Sequence, residues 1–239
     1  MKQVSRNGIS FDVVTNTADN TFWDINGWEA DNYVILKESA NTHNVFVHAG
    51  AWIGPFTLFC AQLYDKVYCL EPDPVAFVEL NRNIALNGYE NIIAENKAFL
   101  DTETVISIGS DYSELGRSGT SMFQQEHAVE VNTITLANYF KQHNLPKNCM
   151  VMLDVEGAEY CLFTDTKFFK EYTPTVLVSF HLTMLTDDKY QMLYDSLEKL
   201  LDVYNIDLDK LAHERSLSPY GGAFRGLDLL LTLKDNATV

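Results

Sequence analysis

The sequence predicts an α/β fold: a Rossmann-like domain on a mostly parallel seven-stranded sheet, preceded by an N-terminal arm. Three observations carry that prediction. From residue 44 onward, short apolar runs alternate with segments of helical periodicity, the order that builds a parallel sheet. The runs are apolar throughout, as strands covered on both faces require. The stretch VFVHAGAWIGPFTLF, residues 45–59, passes from a strand through Gly50 and Gly54 into Pro55, a strand–turn–helix unit suited to holding a cofactor at its turn. Residues 1–40 form the arm and residues 41–239 the domain, with no repeat or low-complexity linker between them.

Within the arm, GISFDVV alternates like a strand, and FWDINGWEADNYVILKESA is aromatic-rich ahead of a short helix. The domain's strands are NVFVHAG, KVYCLEP, NIIAENKAF, MVMLDV and TVLVSFH. In EPDPVAFVELNRNIALNG, Asp73 caps a helix and Pro74 takes its first position, where a missing N–H costs nothing. Phe77, Leu80 and Ile84 follow at helical spacing, and Gly88 suits the stop. Thr135 caps LANYFKQH. Thr186 caps DDKYQMLYDSLEKLL, whose Tyr190, Leu193, Leu197, Leu200 and Leu201 make one apolar face. VYNIDL and LDLLLTL are the last strands, joined by the Gly-rich SPYGGAFRG; a pair linked by a loop predicts an antiparallel strand at the end of the sheet.

A length of 239 residues suits one substantial domain, and 46% hydrophobic with 21% charged residues allows a real core. No apolar run approaches the roughly 20 residues that span a bilayer. The start, MKQVSRNGISFDVV, lacks the apolar centre of a secretory signal. The expectation is a soluble cytoplasmic protein without a membrane partner. Its 33 acidic against 17 basic residues give a net charge of -16, a field that repels a phosphate backbone, so nucleic acid is not an expected partner. Cys60, Cys69, Cys149 and Cys161 form no CxxC pair and are expected as buried free thiols.

At the glycine turn, Gly50 permits a conformation or close approach that a side chain would obstruct, and Gly54 lets the helix start pack closely. Glu71 ends the next strand 21 residues after Gly50, where an acidic residue in nucleotide-binding units accepts ribose hydroxyls. The turn GAWIG puts Trp52 where a dinucleotide site favours a further glycine. That is poor for pyrophosphate, which disfavours a nicotinamide-dependent oxidoreductase, and tolerable for a nucleoside without phosphates such as S-adenosylmethionine.

LDVEGAEY places Asp154, Glu156 and Glu159 within six residues, with Gly157 at the bend. A strand ending near Asp154 brings them to the carboxyl edge of the sheet, where open α/β folds bind ligands. They could orient a substrate hydroxyl, meet an ammonium group, hold a divalent cation, or form a solvated acidic loop. His181 ends TVLVSFH and should reach the same edge, where a neutral imidazole could take a proton from a hydroxyl. The segment 111–123 offers Arg117, Ser118 and Ser121 either as a cover over this edge or as an ordinary connection. Phe22, Trp23 and Trp28 form either an acceptor wall or a packing arm.

VHAGAWIGPFTLF, VYCLEPDPVAFVELNRNIALNG, MLDVEGAEY and VSFH, in that order and spacing, resemble FkbM-type methyltransferases over roughly residues 44–182, with DVEGAE the most distinctive piece. The resemblance implies a class I S-adenosylmethionine-dependent methyltransferase fold. By it, Gly50 and Gly54 line the methionine part of the cofactor, Glu71 holds the ribose, Pro72 and Asp73 lie on the adenine side, and Ala98 packs the adenine. His48 stands where related sequences commonly carry an acidic residue near the amino-acid end of the cofactor. An imidazole supplies no fixed negative charge there, so binding is expected to survive in weakened form. The implied reaction is methylation of a hydroxyl on a small molecule or sugar. Asp154, Glu156 and His181 would orient the acceptor and remove its proton. No residue is assigned to a metal, and the oligomeric state is left open. The competing reading is a non-catalytic binding or regulatory protein on a decayed version of the fold, motivated by His48.

Overall fold

The computed structural model describes residues 1–14, 22–25, 27–110, 115–116, 118–124, 126–217 and 226–235. The arm begins with a hairpin, β1 (Lys2–Arg6) and β2 (Ile9–Val13), reversed at Asn7 and Gly8, both with positive φ. A 3-10 turn, Phe22–Asp24, and helix α1 (Ala30–Ser39) complete it.

The domain continues through β3 (Val45–Ala49), α2 (Pro55–Cys60), β4 (Lys66–Leu70), α3 (Pro74–Asn87), β5 (Ile92–Glu95), β6 (Ala98–Phe99), β7 (Val105–Ile108) and β8 (Val129–Ile134). Then come α4 (Leu136–Gln142), β9 (Met150–Leu153), α5 (Glu159–Leu162), α6 (Thr166–Tyr172), β10 (Thr175–Phe180), α7 (Asp187–Glu198), β11 (Tyr204–Asn205), α8 (Leu208–Leu217) and β12 (Leu227–Leu233). The main sheet has seven strands in the order β11-β12-β10-β9-β3-β4-β5. The pairs from β10 to β5 are parallel, and β12 runs antiparallel to both β10 and β11.

Local signals placed α3 and α4 correctly. Asp73 accepts from the Val75 and Ala76 amides, Gly88 stops α3 with φ +66°, and Thr135 accepts from the Asn138 amide. Thr186 stands at the N-cap of α7, but its side chain makes no capping bond.

Two expectations need correction. NIIAENKAF is not one strand: the Asn96 side-chain amide donates to the Glu71 and Pro72 carbonyls, and the chain leaves the main sheet there. β6 then pairs with β8 in a separate sheet of order β6-β8-β7. The last two strands are not joined by a loop alone either, since α8 intervenes. Asp207 accepts from the Lys210 amide at 2.8 Å and Leu211 is buried, so a short capped helix follows the two-residue β11. The predicted antiparallel strand is present as β12. The connection SPYGGAFRG lies largely outside the described residues.

Successive side chains point to opposite faces of the sheet, giving two cores. Val47, Ala49, Val151, Leu153, Val176 and Val178 face one, shared with α4, α6 and α7. Phe46, Met150, Met152 and Leu177 face the other, shared with α1, α2 and the arm's Val4, Phe11, Val13, Phe22 and Trp23. The arm is thus continuous with the second core. All four cysteines are free and buried, as expected.

Candidate active site

Gly50 leaves β3 with φ +81°, and a Cβ there would stand 1.8 Å from the Asp154 carbonyl oxygen. The glycine therefore admits protein backbone: the loop after β9 lies against the turn, held by the Asp154 amide donating to Ala49 O at 3.1 Å. Trp52 also has positive φ, 46°, and this aims its amide at Glu71. That amide donates to Glu71 Oε2 at 2.6 Å, and the Asp73 amide donates to Oε1 at 2.8 Å. Burial pushes the Glu71 carboxyl up to about 8, against the pull of those two donors. Glu71 still faces a cavity of about 350 Å³, beside Pro72, Ala98 and Gly50.

Three residues expected beside a cofactor are not among those that line the cavity. His48 is on the second-core side of β3, 1% exposed and outside the cavity lining. Its Nδ1 is 3.0 Å from Thr57 Oγ1, its ring centroid is 5.6 Å from that of Phe46 and 6.0 Å from that of Phe56, and Nε2 has no hydrogen-bond partner among the described residues. Burial lowers its pKa to about 3, so it is a neutral core residue. Gly54 likewise faces protein: with φ +100°, a Cβ would stand 2.8 Å from Leu80 Cδ1 of α3. Asp73 caps α3, and its Oδ2 also accepts from the Gly116 amide at 2.7 Å and Thr120 Oγ1 at 3.0 Å. It is an anchor beneath the cavity wall.

Asp154, Glu156 and His181 do come together at the carboxyl edge and line the cavity. His181 Nε2 is 3.3 Å from Glu156 Oε2 and 3.7 Å from Asp154 Oδ1. On its other side, Nδ1 is 2.9 Å from Glu159 Oε1. Burial opposes the charge on His181, but the carboxylates of Glu159, Glu156 and Asp154 outweigh it and raise the pKa to about 10. Burial also raises Asp154 well above the carboxylate range, with His181 pulling the other way, and raises Glu156 in the same manner. An imidazole that keeps its proton donates hydrogen bonds and does not act as the neutral base.

The remaining walls have two characters. Ala98, Phe99, Leu100, Ile106, Ile108 and Met122 make an apolar side. Phe22, Trp28 and Trp52 make an aromatic side, with Phe22 packed on both tryptophans at 4.5–4.7 Å between centroids. Phe22 and Trp28 are therefore wall residues, while Trp23 packs on Phe11 in the core. Of the segment 111–123, Ser118 and Ser121 line the cavity and Ser121 donates to Glu156 O at 2.8 Å, whereas Arg117 lies outside the described residues.

Glu29 and Gly226 were missed from the sequence. Glu29 takes φ +45° ahead of α1 and turns its carboxylate into the cavity, where burial raises its pKa to about 7. The Asn32 side chain bonds both Glu29 and Asp228 of β12, a contact spanning 196 residues that no local pattern signals. A Cβ on Gly226 would meet Ser179 Oγ at 2.4 Å, so this glycine leaves room for the Ser179 hydroxyl at the cavity wall.

Among family models, the methyltransferase FkbM domain matches the chain over residues 44–208. No curated protein matches. Among solved structures, the methyltransferase FkbM from Methylobacillus flagellatus KT is 14% identical with a TM-score of 0.40, over 57% of this chain and 32% of its own. The match thus spans about a third of that protein. An rRNA methylase from Streptococcus thermophilus is 11% identical, TM-score 0.46, over 86% and 95% of the two chains. SMU.1697c from Streptococcus mutans, in complex with SAH, is 9% identical, TM-score 0.49, over 88% and 99%. With the family's domain covering residues 44–208, and thus the turn at Gly50, Glu71, the DVEGAE segment and His181, the chain belongs to the methyltransferase FkbM domain family.

Proposed function

We propose that the protein transfers a methyl group from S-adenosylmethionine to a hydroxyl oxygen of a small molecule or sugar. The observation that carries this reading is one cavity that joins two unlike halves. Glu71, Pro72 and Ala98 suit a nucleoside and Asp154, Glu156 and His181 suit a hydroxylated acceptor, and both sets line this cavity together with its apolar and aromatic walls. The sulfonium is already a good leaving group, so the protein's tasks are in-line positioning and removal of the acceptor proton.

Glu71 holds the ribose hydroxyls through lone pairs left over from its two backbone donors. Asp154 and His181 orient the acceptor. Since His181 keeps its own proton, the acceptor's proton passes to a carboxylate, and Glu156, raised by burial, is better matched to that task than an ordinary glutamate. The acidic rim and the net charge of -16 favour a neutral or cationic acceptor over a nucleic acid.

With His48 outside the cavity lining, that position lends no support to a decayed site. Calorimetric titration with S-adenosylmethionine tests the donor half: saturable binding, lost in Glu71→Ala, supports it, and absence of binding by the folded wild type overturns it. Formation of S-adenosylhomocysteine across a panel of hydroxylated and phenolic acceptors then tests the transfer itself.

A further inference from the structure

His181 is 8% exposed, and its two ring nitrogens are treated differently. Nδ1 is 2.9 Å from Glu159 Oε1, and Glu159 is 0% exposed, so the ring is fixed from behind. Nε2 stands between Glu156 Oε2 at 3.3 Å and Asp154 Oδ1 at 3.7 Å. One donor atom from each of Asp154, Glu156 and His181 lies within 4.8 Å of the other two. Adjacent ligands around an octahedral ion with bonds of about 2.1 Å stand roughly 3 Å apart, so small side-chain movements would close this set on a cation.

A buried carboxylate that fixes the rear nitrogen of a histidine while its front nitrogen faces other ligands is the outer-shell arrangement of metal-binding histidines. Gly226 lines the cavity beside His181. We propose that Asp154, Glu156 and His181 form a three-ligand site for a divalent cation, with its open positions directed into the cavity.

Two carboxylate oxygens with one imidazole favour a hard or borderline ion of the Mn²⁺ or Mg²⁺ kind over a thiophilic one. What the cation would do rests on the methyl-transfer reading: it would displace the His181 Nε2 proton and hold Glu156 as a ligand rather than leave it as the base, and its open positions would take acceptor oxygens, two at once for an acceptor with adjacent hydroxyls. Glu159 is then a positioning residue that acts through His181.

The test is titration of the chelator-treated full-length protein with Mn²⁺ alone, following the loss of the free-ion EPR signal, in the absence of donor and acceptor. One saturable site is expected. Asp154→Asn and Glu156→Gln should each weaken it tenfold or more, and Glu159→Gln should weaken it less, with circular dichroism and thermal unfolding confirming that each variant is folded. Displacement of Mn²⁺ by Mg²⁺ would support the hard-ion assignment.

No saturable binding by the wild type, or binding unchanged in folded Asp154→Asn and Glu156→Gln variants, would overturn the proposal. Calorimetry with S-adenosylmethionine, run with and without Mn²⁺, separates the two readings. Mn²⁺ binding without donor binding keeps the cation site and removes the methyl-transfer reading. Donor binding without any Mn²⁺ site does the reverse.

Discussion

Replacing Gly50 with alanine tests how the turn and the DVEGAE loop are joined. The new Cβ would stand 1.8 Å from Asp154 O and 2.9 Å from Asp154 C, backbone atoms that cannot rotate away. Asp154 is itself pinned to the end of β3 by its amide, so the clash must separate β3 from the β9 loop. Two costs add: about 1–2 kcal/mol for an alanine at φ +81°, and about 1–3 kcal/mol for the steric displacement. The sum, about 2–5 kcal/mol, corresponds to a fall in Tm of roughly 4–20 °C for a chain of this size. Gly88→Ala is the control, because Gly88 has φ +66° with nothing within 4 Å of its Cβ and so carries only the conformational cost. Chemical denaturation of wild type and both variants supplies the numbers. Equal losses in Gly50→Ala and Gly88→Ala would refute the close approach and, with it, the placement of Asp154.

Other substitutions probe separate links. His48 has a folded pKa of about 3, below its ordinary value, so the unfolded chain binds the proton first and stability is lost as pH falls below about 6.5. By about pH 5 the wild type should lose roughly 2 kcal/mol relative to His48→Leu, measured as the pH dependence of their difference in unfolding free energy. His48→Asp, which places a carboxylate in the apolar core, should cost about 3–5 kcal/mol without tightening cofactor binding in calorimetry. Asp73→Ala removes the cap of α3 and the anchor of residues 116 and 120; a loss of about 1 kcal/mol and faster hydrogen exchange at the Gly116 amide are expected. Ala98→Phe should abolish donor binding with little change in unfolding midpoint, since the larger side chain projects into the cavity.

The parts of the fold that local chemistry specifies were legible in the sequence. Asp73, Pro74 and Gly88 bound α3 because capping and backbone conformation are settled within a few residues. The five strands beside the site were visible as apolar runs, although one of them divides at Asn96, whose side chain bonds carbonyls 24 and 25 residues earlier. The site was legible only to the level of which strand ends meet. Strand alternation puts Phe46 and His48 on one face and Val47 and Ala49 on the other, but nothing local says which face is packed under α2. The glycines allow the close approaches expected of them, but their partners, Asp154 O and Leu80, lie 104 and 26 residues away in sequence and were not legible. Glu29 was illegible because its direction is set by Asn32 and Asp228 together.

The DVEGAE segment explains why its acids are not interchangeable. Glu156 and Gly157 both have positive φ, 50° and 93°, so the chain turns sharply and presents the Val155 and Gly157 amides to one side. Glu159 Oε1 accepts from both, each at 3.2 Å, and meets His181 Nδ1 at 2.9 Å. One buried oxygen thus closes the turn and fixes the imidazole, which is the work of a scaffold. The same turn leaves Glu156 on the cavity side of the histidine and Asp154 at the end of β9, so the two acids that line the cavity are placed by the one that does not. A carboxylate at position 159 has a second oxygen without a partner among the described residues, a desolvation cost that the three contacts of the first must offset. Gln at 159 can keep an acceptor oxygen for those contacts but buries an amide group where no acceptor is found. Glu159→Gln should therefore lose stability as well as the fixed ring.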